Sequence, residues 1–485
     1  MTTVVIMFAR RVEAALSRAF ARASRDGHRA RAFARPSARA NARGAVRGDG
    51  DRGDDDGYGR TRAPSSRAPR AAYVHLPFCR SRCYYCDFAI SVVGGSGDAD
   101  ADAVDGMRQY ADAVRREIAE TRRRADASSS SSMTRKSPLE TVFFGGGTPS
   151  LVPADVLGDI LGDLRDAFGF APDVEVSAEM DPGTFDEEKL RAFLAHGVNR
   201  VSLGVQSFDD EVLWSAGRSH DARAVEEAIE MLRASGAPRW SADLISGLPG
   251  VDAKTWRASL ERVIEAGADH VSVYDLQVEK GTAFYRWYGE NAREDRMPLP
   301  SEDVSAEMFR DASATLGAAG YEHYEVSSYA KPGARCKHNQ IYWENGSWYG
   351  FGMSATSHVD GERVTRPRKM NEYYAYVDAF ERGEDGGAVK TGGDGSDALF
   401  EHIMLRLRTS DGMDLENVAT RFGAHVVDEI HDAIAPFVPD FATYRLADDG
   451  TRVGVRLTDP EGFLVSTEVL ATLISKMPSL ADEDE

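Results

Sequence analysis

Tyr73-Val74-His75-Leu76-Pro77-Phe78-Cys79-Arg80-Ser81-Arg82-Cys83-Tyr84-Tyr85-Cys86-Asp87-Phe88 opens on a short strand-forming run and then places three of the chain's four cysteines within eight residues. Thiolates at that density are soft ligands for zinc, copper(I) or an iron–sulfur cluster. The fourth cysteine, Cys336, is far away in sequence, so the loop offers three ligands. On a four-iron cluster, three protein ligands leave one iron open for chemistry. Zinc ribbons pair two Cys-x2-Cys units across a longer gap, and neither His75 nor Asp87 stands in a recognised zinc spacing. An iron–sulfur cluster on Cys79, Cys83 and Cys86 is the expectation; zinc and structural thiols are the alternatives.

Outward from this stretch the chain settles into strand-then-helix units. Strands are expected at Thr141–Phe144, Val174–Glu179, Arg200–Val205, Trp240–Ile245 and His270–Tyr274. Helices are expected at Pro153–Phe168, up to His196, and at Asp221–Ala234 and Ala253–Ala266. Short strands apolar on both faces, alternating with helices, imply a parallel α/β sheet with right-handed crossovers, either a barrel or doubly wound. Reactive groups of such folds collect at the C-terminal strand ends. Here Cys79, Gly146, Glu179, Gln206 and Asp243 follow successive strands.

Between the cysteine loop and the second strand, Gly94–Gly106 reads as a linker-like insertion before a charged helix at about Met107–Arg124, and Ser128–Ser132 reads as a solvated loop. Beyond Pro300 the expectations are a helix at Glu302–Ala319, the His338-Asn339-Gln340-Ile341-Tyr342-Trp343 run, and a glycine-rich Tyr349–Ala355. After a polar break at Gly392–Asp397 come helices near Leu399–Leu407, Leu415–Phe422 and Val426–Ala435, strand-like runs at Thr443–Leu446 and Val453–Leu457, and a last helix. That order suggests a small α+β domain packed on the barrel.

With 485 residues, 42% of them hydrophobic, the chain can bury one large or two ordinary cores. Its apolar runs are too short for a membrane helix, so contact with a membrane would be peripheral. Residues 1–48 carry 11 arginines against Glu13 and Asp26, a charge of +9, so with −20 overall the remainder carries −29. An acidic body disfavours nucleic acid as the partner. The Ala/Arg-rich leader fits an organelle transit peptide, with a disordered basic tail as the alternative. The sparse Ser and Thr favour the mitochondrial matrix, with the plastid stroma as the alternative.

The cysteine loop after the first strand resembles the signature of the radical S-adenosylmethionine (SAM) superfamily, and Gly145-Gly146-Gly147-Thr148-Pro149 is similar to its GGGTP element. Within the superfamily the chain most resembles the group of oxygen-independent coproporphyrinogen III oxidases (HemN) and its haem-chaperone branch (HemW). The resemblance implies a partial (β/α)6 TIM-like barrel with a C-terminal α+β domain of the HemN type. It also implies a [4Fe–4S] cluster whose open iron binds SAM, which an electron then cleaves to methionine and a 5′-deoxyadenosyl radical. The implied SAM-binding positions are Tyr73, Gly146, Gly147, Thr148, Glu179, Gln206, Arg218 and Asp243, with Tyr85 and Phe88 of the cysteine loop. The expected organisation is a transit peptide at 1–48 and a linker at 49–70, read from composition, followed by the radical SAM core at 71–300, a barrel-completing segment at 301–391 and the α+β domain at 392–485, as the resemblance implies.

Two features separate the branches. HemN-type oxidases carry a further cysteine two residues after the third, where this chain has Phe88, as the chaperone branch does. The run from His338 to Trp343 is similar to the HNxxYW motif of the chaperone branch, which makes His338 a candidate haem ligand; the bland reading is that Tyr342 and Trp343 pack in the core and His338 hydrogen-bonds nearby. Cys336 is a second candidate for haem contact or a small buried hydrophobe. The resemblance thus implies a haem-binding chaperone with haem as cargo, a haem-accepting partner protein and an electron donor. The alternative is the oxidative decarboxylation of coproporphyrinogen III to protoporphyrinogen IX.

Overall fold

The computed structural model of the chain describes residues 68–94, 101–128, 137–289, 295–392 and 397–480. The leader at 1–48, most of the linker at 49–70 and all of the serine run except Ser128 lie outside the described residues.

Strand β1 (Ala71–Leu76) is buried at every position, as a continuous apolar run covered on both faces should be. It is followed by α1 (Ala101–Ser128), β2 (Leu139–Gly146), α2 (Ala154–Phe168), β3 (Phe170–Met180), α3 (Glu187–His196), β4 (Arg200–Gln206), α4 (Ala222–Ser235), β5 (Trp240–Ser246), α5 (Ala253–Ala266) and β6 (His270–Asp275). Strands β1 to β6 lie side by side in chain order, all parallel. The same punctuation recurs in the sequence. Asp186, Asp221 and Asp252 each accept a backbone N–H at a helix start, and Gly197, Gly236 and Gly267 end the same helices in left-handed conformation.

After α6 (Glu302–Ala318) the chain adds β7 (Glu322–Glu325) and β8 (Ser328–Ala330) antiparallel beyond β6. Helix α7 (Lys337–Trp343) then leads to β9 (Trp348–Phe351), which returns to lie parallel to β1 on its other side. The antiparallel strands β10 (Thr356–Val359) and β11 (Glu362–Thr365), the helix α8 (Met370–Glu381) and β12 (Val389–Gly392) follow. The 12 strands run in one linear order from β12 to β7, so the barrel is partial, as the resemblance implied.

The remaining unit comprises α9 (Asp397–Arg406), β13 (Met413–Asp414), α10 (Leu415–Phe422), α11 (Ala424–Ile434), β14 (Ala442–Leu446), β15 (Arg452–Leu457), α12 (Glu461–Leu464) and α13 (Ser466–Lys476). It has its own apolar core, and Val326 and Trp343 from the barrel side join that core and tie the two units together. No described helix is long and apolar enough to cross a membrane.

One expectation is corrected. Helix α1 begins at Ala101, inside the supposed insertion, because Ala101-Asp102-Ala103 combines strong helix formers with an acid in the first turn. The glycine-rich Tyr349–Ala355 carries strand structure. It contains most of β9, where the missing side chain of Gly350 makes room for the backbone of Thr356 in the adjoining strand.

Candidate functional site

The loop that leaves β1 brings Cys79, Cys83 and Cys86 to the rim of a cavity of about 920 Å³ at the C-terminal ends of the parallel strands. Its course is fixed by backbone bonds: Ser91 N–H to Pro77 O (2.7 Å), Val93 N–H to Cys79 O (2.9 Å) and Tyr84 N–H to Ala216 O (3.0 Å). The Arg82 guanidinium spans the loop, donating to the carbonyls of Cys86 (3.2 Å) and Phe88 (3.0 Å). All three cysteines are free thiols, and burial pushes Cys79 up to about 11 and Cys86 to about 12. Among the described residues, no three His, Cys, Asp or Glu side chains close on a point that a single metal ion would fill. All three thiols line the one cavity.

The glycine turn after β2 forms the adjacent wall. Gly146 has φ +112°, open to few residues but glycine, and a Cβ on Gly147 would fall 2.6 Å from the Pro77 backbone. Thr148 closes this contact, with its N–H on Phe78 O (2.7 Å) and its hydroxyl 3.5 Å from Cys79 Sγ. Glu179, near the end of β3, accepts from Gly146 N–H at 3.0 Å, and burial raises its carboxyl above the usual range.

Two residues of the cavity lining hold buried polar atoms without a hydrogen-bond partner. Gln206 ends β4 at φ +65°, and its Oε1 is buried without a hydrogen-bond partner. Asp243 on β5 likewise holds a buried, unpartnered Oδ1, while Ser202 donates to its Oδ2 at 2.8 Å. Burial pushes the Asp243 carboxyl up to about 6 against the pull of its serine donors. Both residues line the cavity together with the cysteines, Gly146, Gly147, Thr148, Glu179 and Arg218.

Arg218 braces the cysteine loop. Its Nη1 lies 3.1 Å from the Tyr85 hydroxyl and 3.5 Å from Cys83 Sγ, and its Nη2 pairs with Asp181 and donates to Gly204 O. Burial opposes charge on Asp181, but Arg218 and His220 outweigh it and hold the carboxyl below its usual range. Sequence reasoning gave Asp181, His220 and Ser202 no role. A polar residue beside a strand end was the available signal. Tyr85 and Phe88 also line the cavity.

Tyr73 and His338 stand elsewhere. Tyr73 is buried behind the wall, where a Cβ on Gly145 would sit 3.0 Å from its ring and 3.1 Å from Glu179. His338 is buried in α7 against β2, with Nδ1 2.8 Å from Thr141 Oγ1 and Nε2 2.7 Å from the Tyr342 hydroxyl. Burial lowers it to about 3, so the ring is neutral, and both nitrogens are engaged within the protein. In this arrangement both ring nitrogens are engaged by hydroxyls. Cys336 is buried nearby, 3.6 Å from Glu175.

The family model of the Radical SAM superfamily matches residues 73–263, and that of the HemN C-terminal domain matches residues 394–464. The heme chaperone HemW of Synechocystis sp. is 38% identical over 434 residues, which cover 84% of this chain and 97% of that protein. HemW of Bacillus subtilis is 30% identical, covering 84% of this chain and all of that protein. A bovine relative, the mitochondrial radical S-adenosyl methionine domain-containing protein 1, is 34% identical over 62% of this chain and 63% of its own length. The solved structure of coproporphyrinogen III oxidase (HemN) from Escherichia coli is similar in fold, with a TM-score of 0.66 over 84% of this chain and 90% of that one at 24% identity. With a bacterial relative matched over nearly its whole length, the chain belongs to the radical SAM superfamily and, within it, to the HemW family, in which the barrel is followed by a HemN C-terminal domain.

Proposed function

We propose that this chain is a haem chaperone that holds a [4Fe–4S] cluster and SAM and passes haem to an acceptor haemoprotein. The observation that carries the cofactor part is the single cavity in which three thiols meet a glycine cradle and the unpaired Gln206 Oε1 and Asp243 Oδ1. Three thiols on one loop, with no fourth ligand in a zinc spacing beside them, suit a cluster of several irons with one open position better than one zinc. Cys79, Cys83 and Cys86 would hold the cluster. Gly146 and Gly147 allow close backbone approach, Glu179 can accept from an ammonium group, and Gln206 and Asp243 can bond ribose hydroxyls. A bound cluster would supply one electron for reductive cleavage of SAM, so an electron donor is part of the proposal.

The haem part rests on kinship with proteins named heme chaperone and on Phe88 in place of a fourth loop cysteine. The charge of the cavity supports the same choice. Glu179, Asp243, Glu279, Glu302 and Glu468 line it, against Arg80, while Asp181 and Arg218 pair with each other. Such a wall attracts the cationic sulfonium of SAM and repels the several propionates of coproporphyrinogen, which disfavours the oxidase reading. Import into the mitochondrial matrix by the leader is part of the proposal and is tested by imaging a fusion of residues 1–48.

A spectroscopic haem titration of the reconstituted protein, run beside an assay with coproporphyrinogen III, SAM and reductant, tests the function. Haem binding without protoporphyrinogen is expected. Protoporphyrinogen formation, or no haem binding, would overturn the reading.

A further inference from the structure

His75 is the fourth residue before Cys79 and belongs to none of the positions implied by the resemblance. Its ring is 3% exposed. Nε2 lies 2.8 Å from the carbonyl of Ala89, which closes the cysteine loop three residues after Cys86. A carbonyl can only accept, so Nε2 carries the proton. Burial lowers the ring to about 4, so it is neutral, and Nδ1 must accept from the Tyr73 hydroxyl at 3.2 Å. The ring face presses on the glycine turn, where a Cβ on Gly146 would fall 2.5 Å from its Cε1 and Nδ1. Tyr73 in turn packs behind Gly145 and Glu179. One imidazole therefore touches the return of the cysteine loop, the backbone of the glycine turn and the tyrosine that backs Glu179.

We propose that His75 is a positioning residue that sets the distance between the cysteine loop and the Gly146–Glu179 wall, and thereby between the cluster and the bound SAM. The inference rests on the cofactor reading above. The loop has anchors that do not pass through His75, at Ser91, Val93, Tyr84 and Arg82, so thiol ligation should survive the loss of the ring while the wall drifts from the loop. Remote supports of this kind are worth roughly 10–100-fold in affinity.

The test compares wild type, His75→Leu and His75→Gln after reconstitution with iron and sulfide. Iron content, SAM affinity and the change in the EPR spectrum of the reduced cluster on adding SAM are measured. His75→Leu is expected to retain wild-type iron, to bind SAM roughly tenfold or more weakly and to lose most of the SAM-induced spectral change. His75→Gln can still donate to Ala89 and should recover much of both. Wild-type SAM affinity and spectral change in His75→Leu would overturn the proposal. Loss of iron in both variants would also overturn it, because the ring would then serve only to hold the loop. Absence of a cluster or of SAM binding in the wild-type protein would instead sink the cofactor reading itself.

Discussion

Ser202 donates its hydroxyl to Oδ2 of Asp243 at 2.8 Å across neighbouring strands, which leaves Oδ1 of the same carboxylate buried and unpaired. Burial dominates and lifts the carboxyl from its ordinary value to about 6. A raised carboxyl favours folding while it is protonated: the contribution is complete below the unfolded value near 3.9 and is lost as pH rises through about 6. Asp243→Asn should therefore stabilise the cofactor-free protein at pH 8, by about 2–3 kcal/mol, with the gap closing towards pH 4. Denaturant melts at the two pH values check this, and a gap independent of pH would contradict it. The same variant should bind SAM more weakly, because the free oxygen is the group offered to the ligand.

Gly147→Ala should be among the costlier single changes at the site. A methyl group there meets Pro77 C at 2.6 Å and Phe78 O at 2.7 Å, which are backbone atoms just ahead of Cys79 and cannot swing aside. A loss of about 1–3 kcal/mol is expected from overpacking, with a lower Tm and reduced iron uptake on reconstitution. By contrast, Gly162→Ala in α2, with nothing within 4 Å of its Cβ position, should be neutral or stabilising.

Cys83→Ser should abolish the thiolate-to-iron absorbance near roughly 400 nm after reconstitution, whereas Cys336→Ser should leave it intact. Cys83 lies on the cavity rim beside Arg218, and Cys336 is buried beside Glu175 outside the cavity lining. Equal iron content in Cys83→Ser and wild type would contradict the ligand assignment.

The parallel strands were legible because each carries an apolar run, and the helices after β3, β4 and β5 add an aspartate cap and a terminal glycine. The strands that close onto β1 and β6 were not. β9 contains Gly350, whose reason is a contact with Thr356, and β8 is three residues long, too short to alternate. At the site, the cysteines and the glycine turn were visible because spacing alone marks them. Asp181, Ser202 and His75 act through partners 37, 41 and 14 residues away, a relation that no local pattern encodes. The Glu117–Arg366 pair is of the same kind: both side chains are nearly inaccessible, and Glu117 also accepts from Gly352 N–H and the Tyr373 hydroxyl.

His338 shows how a motif and a geometry can part. Its Nδ1 meets Thr141 and its Nε2 meets Tyr342, so one ring pins α7 to β2 while its face lies 5.2 Å from that of Phe143. His338→Leu leaves both hydroxyls without that partner, and a cost of about 2–4 kcal/mol follows from unmade buried hydrogen bonds. A lower Tm is therefore expected, with the Soret band of the haem-loaded protein at the wild-type position. Haem affinity measured below the melting transition should match wild type. A displaced Soret band with an unchanged Tm would mean the reverse: the imidazole would have left its buried partners to reach the iron, and the price of breaking those two bonds would be met by the metal.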